Sequence, residues 1–179
     1  MSVMMPDDDW PPAPPVPTAS PSPWNSLWDF SLTVYAAPGV AEACLRAQDQ
    51  HGLDVNLILW AAWLGANGHR LTGAELAAAA SATDAWRREV VQPLRAVRRR
   101  LKNGPSPAPN SASDLLREQV KAAELEAERQ QQEMLQTLPH RQRTETAPET
   151  ALVANIALLL PAGNRRAVTE ALHAAIFNP

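Results

Sequence analysis

The sequence predicts an all-α fold: a single compact bundle of six to eight helices behind a disordered, proline-rich N-terminal tail. Three observations carry this expectation. Apolar residues recur at helical spacing from Trp24 onward, no segment alternates in the manner of a half-buried strand, and capping residues and Pro/Gly breaks follow one another at helix-length intervals. With 179 residues, of which 45% are hydrophobic, the chain can build one substantial core.

Residues 1–23 hold eight of the 17 prolines, the run Asp7-Asp8-Asp9 and an isolated Trp10. Such a composition cannot bury enough apolar surface to offset chain entropy, so a disordered, partly polyproline II tail is expected. It lacks the basic start and apolar stretch of a signal peptide. Trp10 reads as a solvated residue or a short recognition element, and no SH3-type ligand with a flanking basic residue accompanies it.

The helical domain is expected over residues 24–179. Leu27, Trp28, Leu32, Val34 and Tyr35 mark a first helix that must stop near Pro38-Gly39. A second runs from about Val40 to Gln50 and ends at Gly52. Asp54 then caps a segment, Asp54 to Leu64, that is apolar at nearly every helical angle and must be buried on all sides. At 11 or 12 residues this segment is well short of the roughly 20 that cross a bilayer, so no membrane role is expected. Thr72-Gly73-Ala74-Glu75 has capping-box form and opens a short, alanine-rich helix.

A further helix is expected to begin at Asp84 and Trp86, with Val90, Leu94, Val97 and Leu101 on one face and Arg87, Arg88, Arg95, Arg98, Arg99 and Lys102 opposite. Pro93 predicts a kink or restart within it. A loop near 103–112 precedes a long helix capped by Ser111 or Ser113. Its thin heptad seam comprises Leu116, Val120, Ala123, Ala127, Gln130 and Met134. A loop near 139–148 leads to an apolar helix over Leu152–Leu160, and Val168, Leu172, Ala175 and Ile176 form a last amphipathic stretch after Pro161-Ala162-Gly163-Asn164.

The net charge of −3 and a pI near 5.8 exclude a general polyanion binder, so any nucleic-acid site would be local. One cysteine, Cys44, rules out an intramolecular disulfide and a cysteine-rich metal site, and suits a cytoplasmic, reducing compartment.

Three constellations bear chemistry. The first is the polar knot Gln48, Asp49, Gln50, His51, Asp54 and Asn56. His51 between two carboxylates suits a general base or one arm of a metal site, yet a tight helix–helix turn needs the same residue types for its caps. No second His or Cys stands at ligand spacing, so neither metal nor cofactor is expected. The second is the tryptophans Trp28, Trp60, Trp63 and Trp86. Trp60 and Trp63 share a face with Asn56 and Asn67 and would line a ligand pocket or pack in the core. The third is the basic face from Arg87 to Lys102, which would contact phosphates or an acidic partner, or be neutralised by Glu118, Glu124, Glu126, Glu128 and Glu133 on an antiparallel long helix. There is no Gly-rich phosphate loop, no nucleophile elbow and no facing pair of Asp-rich motifs.

The blocks Leu27-Trp28-Asp29-Phe30, Pro38-Gly39-Val40, Cys44-Leu45, Gln48-Asp49, His51-Gly52, Asp54-Val55-Asn56-Leu57, Trp60, Trp63-Leu64 and Pro93-Leu94-Arg95 appear in order. In them the chain, over about Trp24 to Leu138, resembles a proteobacterial family of short cytosolic proteins known only as a domain of unknown function. The resemblance implies a compact helical bacterial protein without an assigned activity, substrate or cofactor. The expected role is a cytosolic interaction or regulatory module with a protein partner. The competing expectations are a small-molecule binder or enzyme built on Asp49, His51, Asp54, Asn56, Trp60 and Trp63, and nucleic-acid binding through the basic helix.

Overall fold

The computed structural model describes residues 24–139 and 146–178; the tail with Trp10 and the centre of the 139–148 loop lie outside them. Among the described residues there are eight α-helices and no strand. They are α1 (Leu27–Tyr35), α2 (Val40–His51), α3 (Val55–Ala66), α4 (Gly73–Trp86), α5 (Gln92–Leu101), α6 (Ser111–Thr137), α7 (Pro148–Leu159) and α8 (Ala162–Phe177).

The local chemistry accounts for most boundaries. Ser26 caps α1 by accepting from the Asp29 amide at 3.3 Å. Gly52, at φ 66°, closes α2 in the left-handed region that disfavours any residue with a Cβ. Two residues later Asp54 accepts from the Asn56 amide at 2.9 Å and starts α3. Thr72 and Glu75 form the reciprocal capping box of α4. Asn110 and Ser113 make a second such box at α6, where a serine at 111 or 113 was the expected cap.

The expected restart at Asp84 does not occur. α4 continues through Asp84 into a π-helical turn, Arg87–Val91, that joins it directly to α5. Pro93 lies in the first turn of α5, and the Gln92 amide bonds back to the Arg87 carbonyl, five residues earlier. The widened turn accommodates a proline that cannot donate and whose ring would press on the carbonyl four residues back. The helix thus absorbs Pro93 as a bulge rather than a break.

α3 is the hub. Ten consecutive residues, Asn56 to Gly65, are buried, with Ile58, Trp60, Ala61, Ala62 and Leu64 almost wholly excluded from water. Each large side chain among them contributes about 1.5–3 kcal/mol by burial. α1, α2, α6 and α7 pack around it, α7 most extensively, while α8 closes against α2 and α7. The α3–α7 approach is close because Gly65 has no side chain: a Cβ there would stand 2.6 Å from the Leu152 Cα. Buried Asn155 of α7 then stitches the layers. Its amide oxygen accepts from the Leu71 amide at 2.8 Å, and its nitrogen donates to the Ala61 and His69 carbonyls at 3.0 and 2.8 Å.

α6 lies antiparallel to α5, but its inward face is not the expected seam. Leu116, Ala123 and Met134 are exposed, whereas Ser113, Glu124, Ala127, Gln131, Gln132 and Leu135 are buried. The two rows share Ala127, which is buried as expected, but around it the buried positions are displaced by one residue, with Glu124, Gln131 and Leu135 in place of Ala123, Gln130 and Met134. Most members of the buried row are polar, and hydrogen bonds rather than hydrophobicity select it.

Candidate functional site

Where α1, α2, α3 and α6 meet, the chain leaves a cavity of about 240 Å³. Its lip is apolar: Trp28 and Leu32 of α1, Leu45 of α2 and Leu125 of α6, with Leu59 deeper in the wall. Leu32, Leu45 and Leu125 are 51%, 41% and 49% exposed, so three leucines stand open to solvent around one opening. Its inner surface is polar, made by Ser31, Tyr35, Gln48, Asp54, Asn56, Arg95, Glu128 and Gln132.

A hydrogen-bonded chain of side chains holds that inner surface. Gln131 Nε2 donates to Asp54 Oδ2, Asn56 Nδ2 donates to Gln131 Oε1 at 3.0 Å, and Gln132 Nε2 donates to Asn56 Oδ1 at 2.9 Å. Arg87 stands 3.7 Å from the Asp54 carboxylate and donates to the Gly52 carbonyl at 2.9 Å. The chain ends on an open valence. Gln132 Oε1 is buried without a partner, and so is Ser31 Oγ across on α1. Ser31 and Gln132 are 4% and 3% exposed, and both line the same cavity. A buried polar atom left unpaired costs about 1–3 kcal/mol, and both atoms are closed to water in this packing.

Beside it lies the ion-pair cluster of the α5–α6 hairpin. Arg95 Nε donates to Glu124 at 2.9 Å, its NH2 group to Glu128 and its NH1 group to Gln48 Oε1 at 2.7 Å. Arg98 donates to both oxygens of Glu124. Glu124 is only 5% exposed. Burial alone would raise its carboxyl, but the guanidiniums of Arg98 and Arg95 outweigh that and hold it below the usual range. For Glu128 the balance is reversed: burial dominates the pull of Arg95 and pushes the carboxyl up. Tyr35 is pushed up to about 12, first by burial and then by Cys44 and Glu128, and so keeps its proton. A second cavity of about 430 Å³, lined by Asp49, Gly52, Arg87, Arg99 and their neighbours, shares Gln48 and Arg95 with the first. The Arg95–Gln48 hydrogen bond therefore stands between the two.

The sequence candidates divide among these places. Asp54 and Asn56 line the first cavity, Asp49 the second, and His51 is exposed on the last turn of α2. They do not converge on one centre. Trp60 and Trp63 belong to the core; Trp63 Nε1 donates to the Trp24 carbonyl at 3.1 Å, while Trp28 lines the cavity. Trp86 Nε1 donates to the Ala127 carbonyl at 2.9 Å and fastens the π turn to α6. Of the basic face, Arg87, Arg95 and Arg98 turn inward as described, Arg88 pairs with Asp84 at 2.9 Å, and Arg99 and Lys102 are exposed. Glu124 and Glu128 are the long-helix carboxylates that meet this face, whereas Glu126 and Glu133 pair with Arg129 on their own helix. Ser31, Tyr35, Gln131 and Gln132 carried no sequence signal as site residues; polar side chains at core spacing on α6 were the available clue.

No group of three or more His, Cys, Asp or Glu suited to a metal ion occurs among the described residues. Residues 26–135 match a family model described as a protein of unknown function, DUF2390. The chain belongs to this family. No curated protein and no solved structure matches it. The DUF2390 segment contains every residue that lines the first cavity, from Trp28 to Gln132, whereas α7 and α8 lie beyond it.

Proposed function

We propose that this protein is a helical regulatory module that binds a small amphiphilic ligand in the cavity between α1, α2, α3 and α6. One observation carries the reading: a single cavity joins a mouth rimmed by exposed leucines to a wall of polar side chains that includes Gln48, Asp54, Asn56, Arg95 and Glu128. Ligand sites combine a mostly apolar wall with a few convergent polar groups in this way. Catalysis has less support, because His51 stands away from the cavity and the carboxylates near it are engaged by arginines. Phosphate binding has less support for a similar reason, since Arg87, Arg88, Arg95 and Arg98 already face carboxylates.

The test is a titration of the isotope-labelled full chain with short-chain amides, alcohols and acids, followed at the Trp28 indole N–H. Movement of Trp28 and of the Leu32 and Leu125 methyls, abolished in Leu125→Trp, is the expected result. Small scattered shifts that Leu125→Trp leaves unchanged would overturn it.

A protein partner fits the same regulatory reading, supported by Leu115 and Leu116, which lie side by side on α6 and are 70% and 48% exposed. The reading includes a cytoplasmic location, supported by the lone Cys44, whose buried thiol is pushed up to about 12 and so stays protonated and unreactive. Among the described residues no helix is long and apolar enough to cross a membrane.

A further inference from the structure

We propose that the chain regulates this cavity with its own N-terminal segment: Trp10 seats between α1, α2, α3 and α6, and Asp7, Asp8 and Asp9 lie over the arginine-lined second cavity beside it. The inference rests on the ligand-binding reading above and adds what competes for the site. Size agrees first. A cavity of about 150 Å³ holds benzene. At about 240 Å³ this one suits about ten non-hydrogen atoms in proportion, which is one tryptophan side chain. Polarity agrees as well, since indole is an apolar body with a single N–H. Leu32, Leu45 and Leu125, from three different helices, surround the mouth, and behind them the Glu128 side chain, 25% exposed, presents its carboxylate.

The second cavity supplies the complementary charge. Arg87, Arg95 and Arg99 line it against a single carboxylate, Asp49. Asp54 stands near Arg87, and Glu124 and Glu128 engage Arg95, but Arg99 is exposed and meets no carboxylate among the described residues. The two cavities are neighbours, sharing Gln48 and Arg95. Asp7, Asp8 and Asp9 directly precede Trp10, so all three lie within about 10 Å of it along the chain. Seating the indole in the first cavity therefore brings three carboxylates to the arginines of the second.

Reach is ample. The fixed end of the tether is Trp24, whose carbonyl accepts from Trp63 Nε1 at 3.1 Å and whose ring packs edge-on against Phe30. From there α1 begins at Leu27 and lines the cavity as far as Tyr35, which puts the mouth within about 25 Å of Trp24. The extended chain from Trp10 to Trp24 covers about 45–50 Å. Such a tether holds Trp10 at an effective concentration on the order of millimolar, so even a weak fit keeps the cavity filled.

The probe is 3-methylindole, the tryptophan side chain without its backbone. It is titrated into the full chain and into full-length Trp10→Ser, and followed at the Trp28 indole N–H and the Leu32, Leu45 and Leu125 methyls. All eight helices begin at or after Leu27, so Trp10→Ser alters none of them. Before any probe is added, those methyls should differ in position between the two proteins. The probe should bind Trp10→Ser at least about tenfold tighter than wild type, because a site already filled about nine times in ten loses that factor. Replacing Asp7, Asp8 and Asp9 together by Asn, with Trp10 retained, should recover at least about threefold of the difference, and so should Arg99→Glu.

Equal affinity of 3-methylindole for wild type and Trp10→Ser would overturn the inference and leave the ligand-binding reading standing. Methyl positions that change on dilution would put the N-terminal segment of a second copy in the cavity and overturn docking within one chain. A tenfold difference untouched by both the Asn triple and Arg99→Glu would overturn the place given to the aspartates. Binding of the probe to neither protein would remove the ligand-binding reading and this inference with it.

Discussion

α3 and α6 pack against each other and bury their residues by opposite chemistry. α3 buries ten residues in succession, of which Asn56 alone has a polar side chain. α6 buries six, and Ser113, Glu124, Gln131 and Gln132 among them are polar. The first surface is held by volume and exclusion of water, which any well-fitted apolar group can supply. The second is held by directed hydrogen bonds, each of which depends on its neighbour. The difference separates two tasks. α3 makes the molecule stable, while α6 gives one side of that stable core a defined pattern of donors and acceptors.

The largest expected effect breaks the apolar side by filling it. Gly65→Val should destabilise by about 3 kcal/mol or more in chemical denaturation, because the new atoms meet the Leu152 backbone and not a side chain that can swing away. Next comes a near-isosteric change on the polar side. Gln131→Met keeps the volume but strands Asn56 and Asp54, and should cost about 2–3 kcal/mol. Its counterpart on α3, Ile58→Leu, should cost less than about 1.5 kcal/mol. If the two cost the same, the contrast between the helices fails.

The charged end of α6 predicts two opposed pH limbs. The carboxyl of Glu124 lies below its ordinary value in the folded chain, so its contribution is complete above the ordinary glutamate value of about 4.3 and is lost as the pH falls through the lowered one. The Glu128 carboxyl is raised by burial; its contribution is present below that ordinary value and is lost as the pH rises through the raised one. Denaturation midpoints followed against pH should therefore lose the acid limb in Glu124→Gln and the upper limb in Glu128→Gln. The smallest effect belongs to the outer face of α6. Leu116→Ser, at a position the apolar seam would bury, should change stability by no more than about 0.5 kcal/mol.

α3 was legible in the sequence because burial on every side demands an unbroken apolar run, and because Gly52 and Asp54 mark the turn that delivers it. The Thr72 capping box was legible for the same local reason. The phase of α6 was not, since a row of Glu and Gln reads as a solvated face until the partners across it are known. Arg95 and Arg98 show the same limit. Their spacing identifies a basic face, but only the antiparallel return of α6 turns that face inward onto Glu124 and Glu128. The cavity itself was half legible: Trp28, Asp54 and Asn56 were in view, whereas Ser31 and Gln132 become notable only as buried atoms without partners.

The central claim is that the polar face of α6 is a fixed hydrogen-bonded structure inside the molecule. Proton exchange of the side-chain amides, followed by nuclear magnetic resonance, tests it most directly. The Asn56, Gln131 and Gln132 NH2 groups should exchange much more slowly than that of exposed Gln119, with Gln131 and Asn56 protected together and both released by Asp54→Ala. Exchange of Gln131 and Gln132 as fast as that of Gln119 would contradict the account.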